Sequence, residues 1–127
     1  MKPLRILVVD DEPALATLIE KYLQRMGFEV EPVSDSRLAL ERFRMAEAPF
    51  QLVLADLTMP EISGEELLRA ILQSDPNVRA ILCSGYAMAG SPLEEEYGRR
   101  IAFLQKPFFP KLLADAIAKL MGPLAGA

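Results

Sequence analysis

Ile6-Leu7-Val8-Val9-Asp10-Asp11-Glu12-Pro13 is the stretch whose reading decides the fold. An apolar run ends in adjacent acids, and the same grammar recurs downstream. Leu52-Val53-Leu54-Ala55 ends in Asp56, and Phe103-Leu104-Gln105 is followed by Lys106 and Pro107. Charges stationed just past the ends of buried strands occupy the place where open α/β sheets hold their ligands. Three carboxylates and one ammonium there suit a divalent cation and a phosphoryl group.

Working outward, helix-like segments alternate with the apolar runs. Ala14, Leu15, Leu18, Ile19, Tyr22, Leu23 and Met26 recur at helical spacing, and Gly27 closes the segment as a C-cap would. Phe28-Glu29-Val30-Glu31 alternates and Pro32 follows, which marks an edge strand because proline cannot donate to a central ladder. A second helix is expected over about 36–46, with Asp35 or Ser34 as N-cap. The third strand, Leu52 to Ala55, is uniformly apolar, as a strand covered on both faces should be. Ser63 to Glu66 reads as a capping box opening a third helix through Leu72, which Asp75-Pro76-Asn77 ends. Val78 to Cys83 gives a fourth strand, and only a short fourth helix is expected, near Pro92 to Tyr97. Ile101 to Leu104 gives the fifth strand, and Pro110 suits the first turn of a last helix.

Repeated strand-then-helix units imply an α/β fold with a parallel sheet and helices on both faces. Five strands with the second at an edge fit a doubly wound, flavodoxin-like sheet of order 2-1-3-4-5. In that order the first and third strands are neighbours, so Asp10, Asp11 and Asp56 converge on one rim. The expected domain spans residues 1–121, with 122–127 as a flexible tail or linker stub.

Composition narrows the chemistry. A chain of 127 residues can bury one real core. Its net charge of -4, with scattered basic residues, argues against direct nucleic-acid binding. No apolar stretch approaches the roughly 20 residues of a membrane span, so membrane insertion is not expected and a cytoplasmic setting is. The single cysteine, Cys83, excludes an internal disulfide and reads as a small buried strand residue. With no histidine, Ser-His and Cys-His nucleophilic pairs and imidazole zinc sites are excluded. Two like charges about 5 Å apart repel by roughly 3 kcal/mol at an effective dielectric near 20. Three converging carboxylates therefore need a cation, a shared proton or plentiful water. Magnesium suits an all-oxygen site with few protein ligands. The competing reading makes the Asp10-Asp11 pair a helix-capping feature, with Asp11 or Glu12 as a first-turn charge before Pro13.

Taken together, Val8-Val9-Asp10-Asp11-Glu12-Pro13, Leu54-Ala55-Asp56-Leu57-Thr58-Met59-Pro60 with Gly64, Leu82-Cys83-Ser84-Gly85, and Leu104-Gln105-Lys106-Pro107-Phe108 resemble the receiver domain of two-component response regulators. The resemblance covers almost the whole chain, strand by strand. It implies that Asp56 is the phosphoacceptor, taking a phosphoryl group from a histidine kinase or a histidine phosphotransfer domain. Asp11 would bind Mg2+ directly, Asp10 directly or through water, and the backbone carbonyl of Thr58 would complete the protein's share beside Asp56. Lys106 would pair with phosphoryl oxygens and Ser84 would hydrogen-bond one of them. Phe103 lies where the family has its aromatic switch residue. Ser84 stands where threonine is common, and its freer rotamers imply a looser coupling to Phe103. Thr58 and Tyr86 would flank the acyl phosphate, with Tyr86 shielding it from water.

The resemblance further implies a cis Lys106-Pro107 bond and a partner-reading surface made by the fourth helix, fifth strand and fifth helix. A downstream output protein or a tethered domain would read that surface. The Cys83-to-Tyr86 and Phe103-to-Phe108 segments look most like receivers attached to hybrid sensor histidine kinases. Two alternatives of other classes are a Mg2+-dependent phosphohydrolase with an aspartyl nucleophile and a receiver-like binding module that is never phosphorylated. The hydrolase would place a general acid two residues after its nucleophile, where this chain has Thr58.

Overall fold

In a computed structural model describing residues 3–85 and 91–122, five strands alternate with helices along the chain. They run β1 (Arg5–Val9), α1 (Pro13–Arg25), β2 (Glu29–Val33), α2 (Ser36–Met45), β3 (Leu52–Asp56), α3 (Gly64–Ser74), β4 (Arg79–Ser84), α4 (Pro92–Tyr97), a 3-10 turn (Gly98–Arg100), β5 (Ile101–Gln105) and α5 (Pro110–Met121). All strand pairs are parallel and the order is β2-β1-β3-β4-β5, as the alternating pattern and the edge proline imply. Tyr86 and residues 123–127 lie outside the described residues.

The two faces of the sheet divide the core by strand parity. Leu7, Val9, Val53, Ala55, Ala80 and Leu82 pack with α2, α3 and α4 residues, including Leu67, Leu68, Ile71 and Leu93. Ile6, Val8, Leu52, Leu54, Ile81 and Cys83 pack with Ile19 and Leu23 of α1 and Leu113, Ile117 and Leu120 of α5. Uniformly apolar strands thus bury both faces, and only the strand ends are left for polar chemistry.

One strand differs from expectation. β2 runs through Pro32 to Val33 instead of stopping before the proline. The inward bonds to β1 come from odd-numbered residues: Glu29 N–H donates to the Leu4 carbonyl and the Val33 carbonyl accepts from Asp10 N–H. Pro32 faces off the sheet, where its missing N–H costs no ladder bond.

Local signals set the helix starts. Asp35 caps α2 by accepting from Arg37 and Leu38 N–H, and Ser63 caps α3 by accepting from Glu66 N–H at 3.1 Å. The Glu66 carboxylate in turn accepts from the Ser63 hydroxyl at 3.3 Å. Gly27, at φ +95°, turns the chain out of α1 toward β2. Arg100 ties the α3 end to the start of β5, donating to the carbonyls of Leu72, Val78 and Asp75.

Gly64 is required for a different reason. A Cβ there would overlap the carbonyl oxygen of Asp56, 2.8 Å from its carbon and 2.9 Å from Leu57 Cα. Helix α3 therefore starts against the backbone of the residue that ends β3. Although alanine is the better helix former, Gly64→Ala is expected to lose about 1–3 kcal/mol, the usual cost of overpacking against backbone. Urea denaturation of the two chains measures this, and equal midpoints would refute the close packing.

Candidate functional site at the carboxyl ends of the strands

Parallel order brings the ends of β1 and β3 side by side, and with them the acids that follow or close them. Among the described residues, Asp10, Asp11 and Asp56 each offer a carboxylate oxygen within 4.8 Å of the others. Asp10 is 1% exposed and Asp56 8%, while Asp11 is half-buried at the mouth. Asp10 Oδ1 accepts from Glu12 N–H at 2.9 Å, a local turn that aims its other oxygen inward. No side chain caps α1, whose N-cap is Glu12, so the capping reading of the acid pair reduces to this turn.

Lys106 reaches into the cluster from the end of β5. Its ammonium lies 3.1 Å from Asp10 Oδ2 and 3.0 Å from Asp56 Oδ1. The Asp10–Lys106 pair was not legible in the sequence, because the two residues are 96 positions apart and meet only through the strand order. The Lys106 backbone N–H donates to the Ser84 carbonyl at 2.6 Å, and the Lys106-Pro107 bond is cis.

Burial raises the Asp56 carboxyl above the ordinary carboxylate range; Lys106 draws it down, and the charges of Asp10 and Asp11 push it up again. The net direction is upward. Burial also disfavours the Lys106 ammonium, but its hydrogen bonds to Asp56 and Asp10 outweigh that, and its pKa ends above the ordinary value. The lysine is charged, and it offsets only part of the negative charge facing it.

Ser84 is buried at the end of β4, and Phe103 is half-buried on β5. Leu82 pairs with Phe103 and Ser84 with Gln105, so strand alternation sets Ser84 and Phe103 on one face of adjacent strands, the face α4 covers. Thr58 is exposed on the loop after β3, two residues beyond Asp56.

Compared with known proteins, residues 6–118 match the response regulator receiver domain model. The chain belongs to that family. It is 31% identical over 117 residues to the response regulator receiver protein CpdR of Brucella abortus, covering 92% of this chain and 96% of the relative. It is 30% identical to the sensor kinase CckA of the same organism over 91% of this chain, which is only 12% of that kinase. The response regulator TrrA of Thermotoga maritima, solved in complex with Mg2+-BeF, superposes with a TM-score of 0.79 at 32% identity, covering 92% of this chain and 98% of that one. Receiver domains of this type are signalling domains rather than substrate-turnover enzymes. Receiver domains bind Mg2+ at an acidic pocket, and the Asp10, Asp11, Asp56 cluster has the all-oxygen donor set that such an ion prefers. Among the described residues no helix is long and apolar enough to cross a membrane.

Crowding three carboxylates costs stability. Removing the half-exposed charge in Asp11→Asn is expected to raise the stability of the metal-free chain by about 1 kcal/mol, near the high-dielectric limit for charges this close. Thermal unfolding in a chelator measures it, and a less stable variant would contradict the repulsion. Cys83 offers a second check. Burial pushes its thiol from 9.0 to about 12, so the folded protein keeps the proton where the unfolded chain would lose it. Stability unaffected below about pH 9 should therefore fall as pH rises from about 9 to 12. At pH 8 a thiol reagent should label Cys83 only in denaturant; rapid labelling of the native chain would contradict its burial.

Proposed function

We propose that the chain is a phosphoacceptor domain that takes a phosphoryl group onto Asp56 and converts it into a change of surface. The observation that carries this reading is the three-carboxylate cluster with one lysine touching both Asp10 and Asp56. The donor is a histidine kinase or a histidine phosphotransfer domain. An Asp56 carboxylate oxygen forms a bond to phosphorus as the phosphorus–nitrogen bond of phosphohistidine breaks, and the released imidazole nitrogen takes up a proton. Asp10, Asp11, Asp56 and the Thr58 carbonyl would hold Mg2+, which neutralises charge on the transferring phosphoryl oxygens. Lys106 supplies the second positive charge, exchanging one of its carboxylate contacts for a phosphoryl oxygen. The likeness to TrrA, solved in complex with Mg2+-BeF, supports Mg2+ as the metal here.

Ser84 and Phe103, on one sheet face, are the proposed switch. A hydrogen bond from Ser84 to the phosphoryl group would draw the β4 end inward and reset Phe103 against α4. The surface of α4, β5 and α5 would then favour a different partner state. That partner is a downstream output protein or a tethered domain. Residues 1–121 form the receiver unit, in the cytoplasm. CpdR, matched over nearly its full length, supports a stand-alone receiver, whereas the CckA match supports one excised from a hybrid kinase. The phosphohydrolase alternative lacks its general acid, since Thr58 stands at that position.

Incubation with a small acyl phosphate and Mg2+ is expected to label the wild-type chain on Asp56. Asp56→Asn, or wild type in excess chelator, should lose at least nine-tenths of the label (a factor of 10 or roughly 1.4 kcal/mol in the barrier). Intact mass spectrometry reads the added phosphoryl group. Equal labelling of Asp56→Asn would sink the acceptor assignment, and no labelling of wild type would leave the unphosphorylated binding module.

A further inference from the structure

The loop between β3 and α3 contains a backbone feature that the sequence does not announce. Glu61 has φ +68°, a left-handed conformation uncommon for a residue with a Cβ. The Ile62 N–H donates to the Pro60 carbonyl at 2.9 Å, so the three residues close an i to i+2 turn about Glu61. Turns of this type with positive φ are rare and strained. Such strain persists only where the surroundings over-determine it, and it clusters at functional sites.

The restraint comes from another helix. Ser36, the first residue of α2, is 3% exposed. Its hydroxyl donates to the Pro60 carbonyl at 3.1 Å and accepts from the Ile62 N–H at 3.3 Å. One side chain thus grips the peptide groups on both sides of the strained residue. Arg37 adds a solvent-exposed ion pair to Glu61 at 3.4 Å. At its other end the loop is pinned by Leu57, whose N–H donates to the Cys83 carbonyl at 2.7 Å and whose carbonyl accepts from Gly64 N–H at 2.9 Å. Met59 is buried in the core between these two anchors. The stretch held between Leu57 and the Ser36 grip is the one that carries Thr58.

We infer that Ser36 is a positioning residue for the metal site: its hydroxyl holds the 60–62 turn, and through it the loop that presents the Thr58 carbonyl. This rests on the reading of Asp11 and the Thr58 carbonyl as metal ligands. Without the Ser36 hydroxyl, Glu61 relaxes from its left-handed state, and the loop must be reordered each time the ion binds. Outer partners that orient metal ligands typically control affinity by 10–100-fold. Because coupling is reciprocal, the ion must also tighten the turn.

The test is calorimetric titration of the full, metal-free chain with MgCl2. Ser36→Ala is expected to bind about tenfold more weakly, at the lower end of that range, with unchanged far-UV circular dichroism. Adding Glu61→Gly to Ser36→Ala should recover most of the affinity, since glycine takes φ +68° without strain. A role confined to packing α2 would show no such rescue. In wild type, saturating Mg2+ should slow hydrogen exchange at the Ile62 amide, a measurement that does not depend on the variant folding. A Ser36→Ala affinity within twofold of wild type, an absent rescue, or an Ile62 amide indifferent to Mg2+ would each overturn the inference. Asp11→Asn separates the two levels. If it binds Mg2+ as wild type does, the metal site itself is misread and Ser36's role falls with it. If it loses Mg2+ while Ser36→Ala retains it, only the positioning role falls.

Discussion

Everything at the carboxyl end of the sheet depends on one ammonium spanning two carboxylates. Lys106 is held over the end of β4 by its peptide N–H on the Ser84 carbonyl, yet its side chain reaches Asp56 at the end of β3 and Asp10 just beyond β1. Adjacent strands are about 4.8 Å apart, so that reach crosses about two strand spacings. Only a long, unbranched cation covers it. Without this cation, burying Asp10 and Asp56 side by side would impose the repulsion of a buried like-charge pair, to be relieved by a proton or another cation. With it, two negative carboxylates meet one positive charge, and Asp11 at the mouth adds a third negative charge. The residual imbalance makes the rim a place for a cation.

Much of this was legible because the strands are so uniform. Ile6 to Val9 and Leu52 to Ala55 have no polar face, which forces helices onto both sides of the sheet. Pro32 forces β2 to an edge even though it lies inside the strand, because its outward-facing position needs no donor. Given that edge and the parallel pairing, the meeting of Asp10, Asp11 and Asp56 follows from topology alone. The short α4 lies where a short helix was expected, but its start was not read in the sequence: the Ser91 hydroxyl accepts from the Leu93 N–H and Pro92 takes the first turn.

What escaped the sequence escaped for physical reasons. The partners of Lys106 depend on a side-chain path across the sheet, which no local pattern encodes. The left-handed turn at Glu61 lacks the glycine or asparagine that usually signals positive φ. Its cause sits 25 positions earlier, in a serine whose local context suggests only a helix start. Gly64 was legible as a motif letter, but the reason for it, a helix starting against the Asp56 carbonyl, needed the packing.

These two unannounced features belong together. The chain leaves β3 at Asp56, has only seven residues before Gly64 must pass against that same carbonyl, and within them must keep Met59 in the core and Thr58 outside it. Within that short span lies the one positive-φ residue other than glycine among the described residues. The strain falls on Glu61, and the compensation is supplied from α2, an element that contributes nothing else to the acidic cluster. Residues that ligate or react are therefore only part of what a receiver-type site requires. The remainder is a set of hydrogen bonds that keep an unfavourable backbone in place before any ligand arrives. Preorganisation of this kind moves the ordering cost from the binding step into folding, where the whole core shares it.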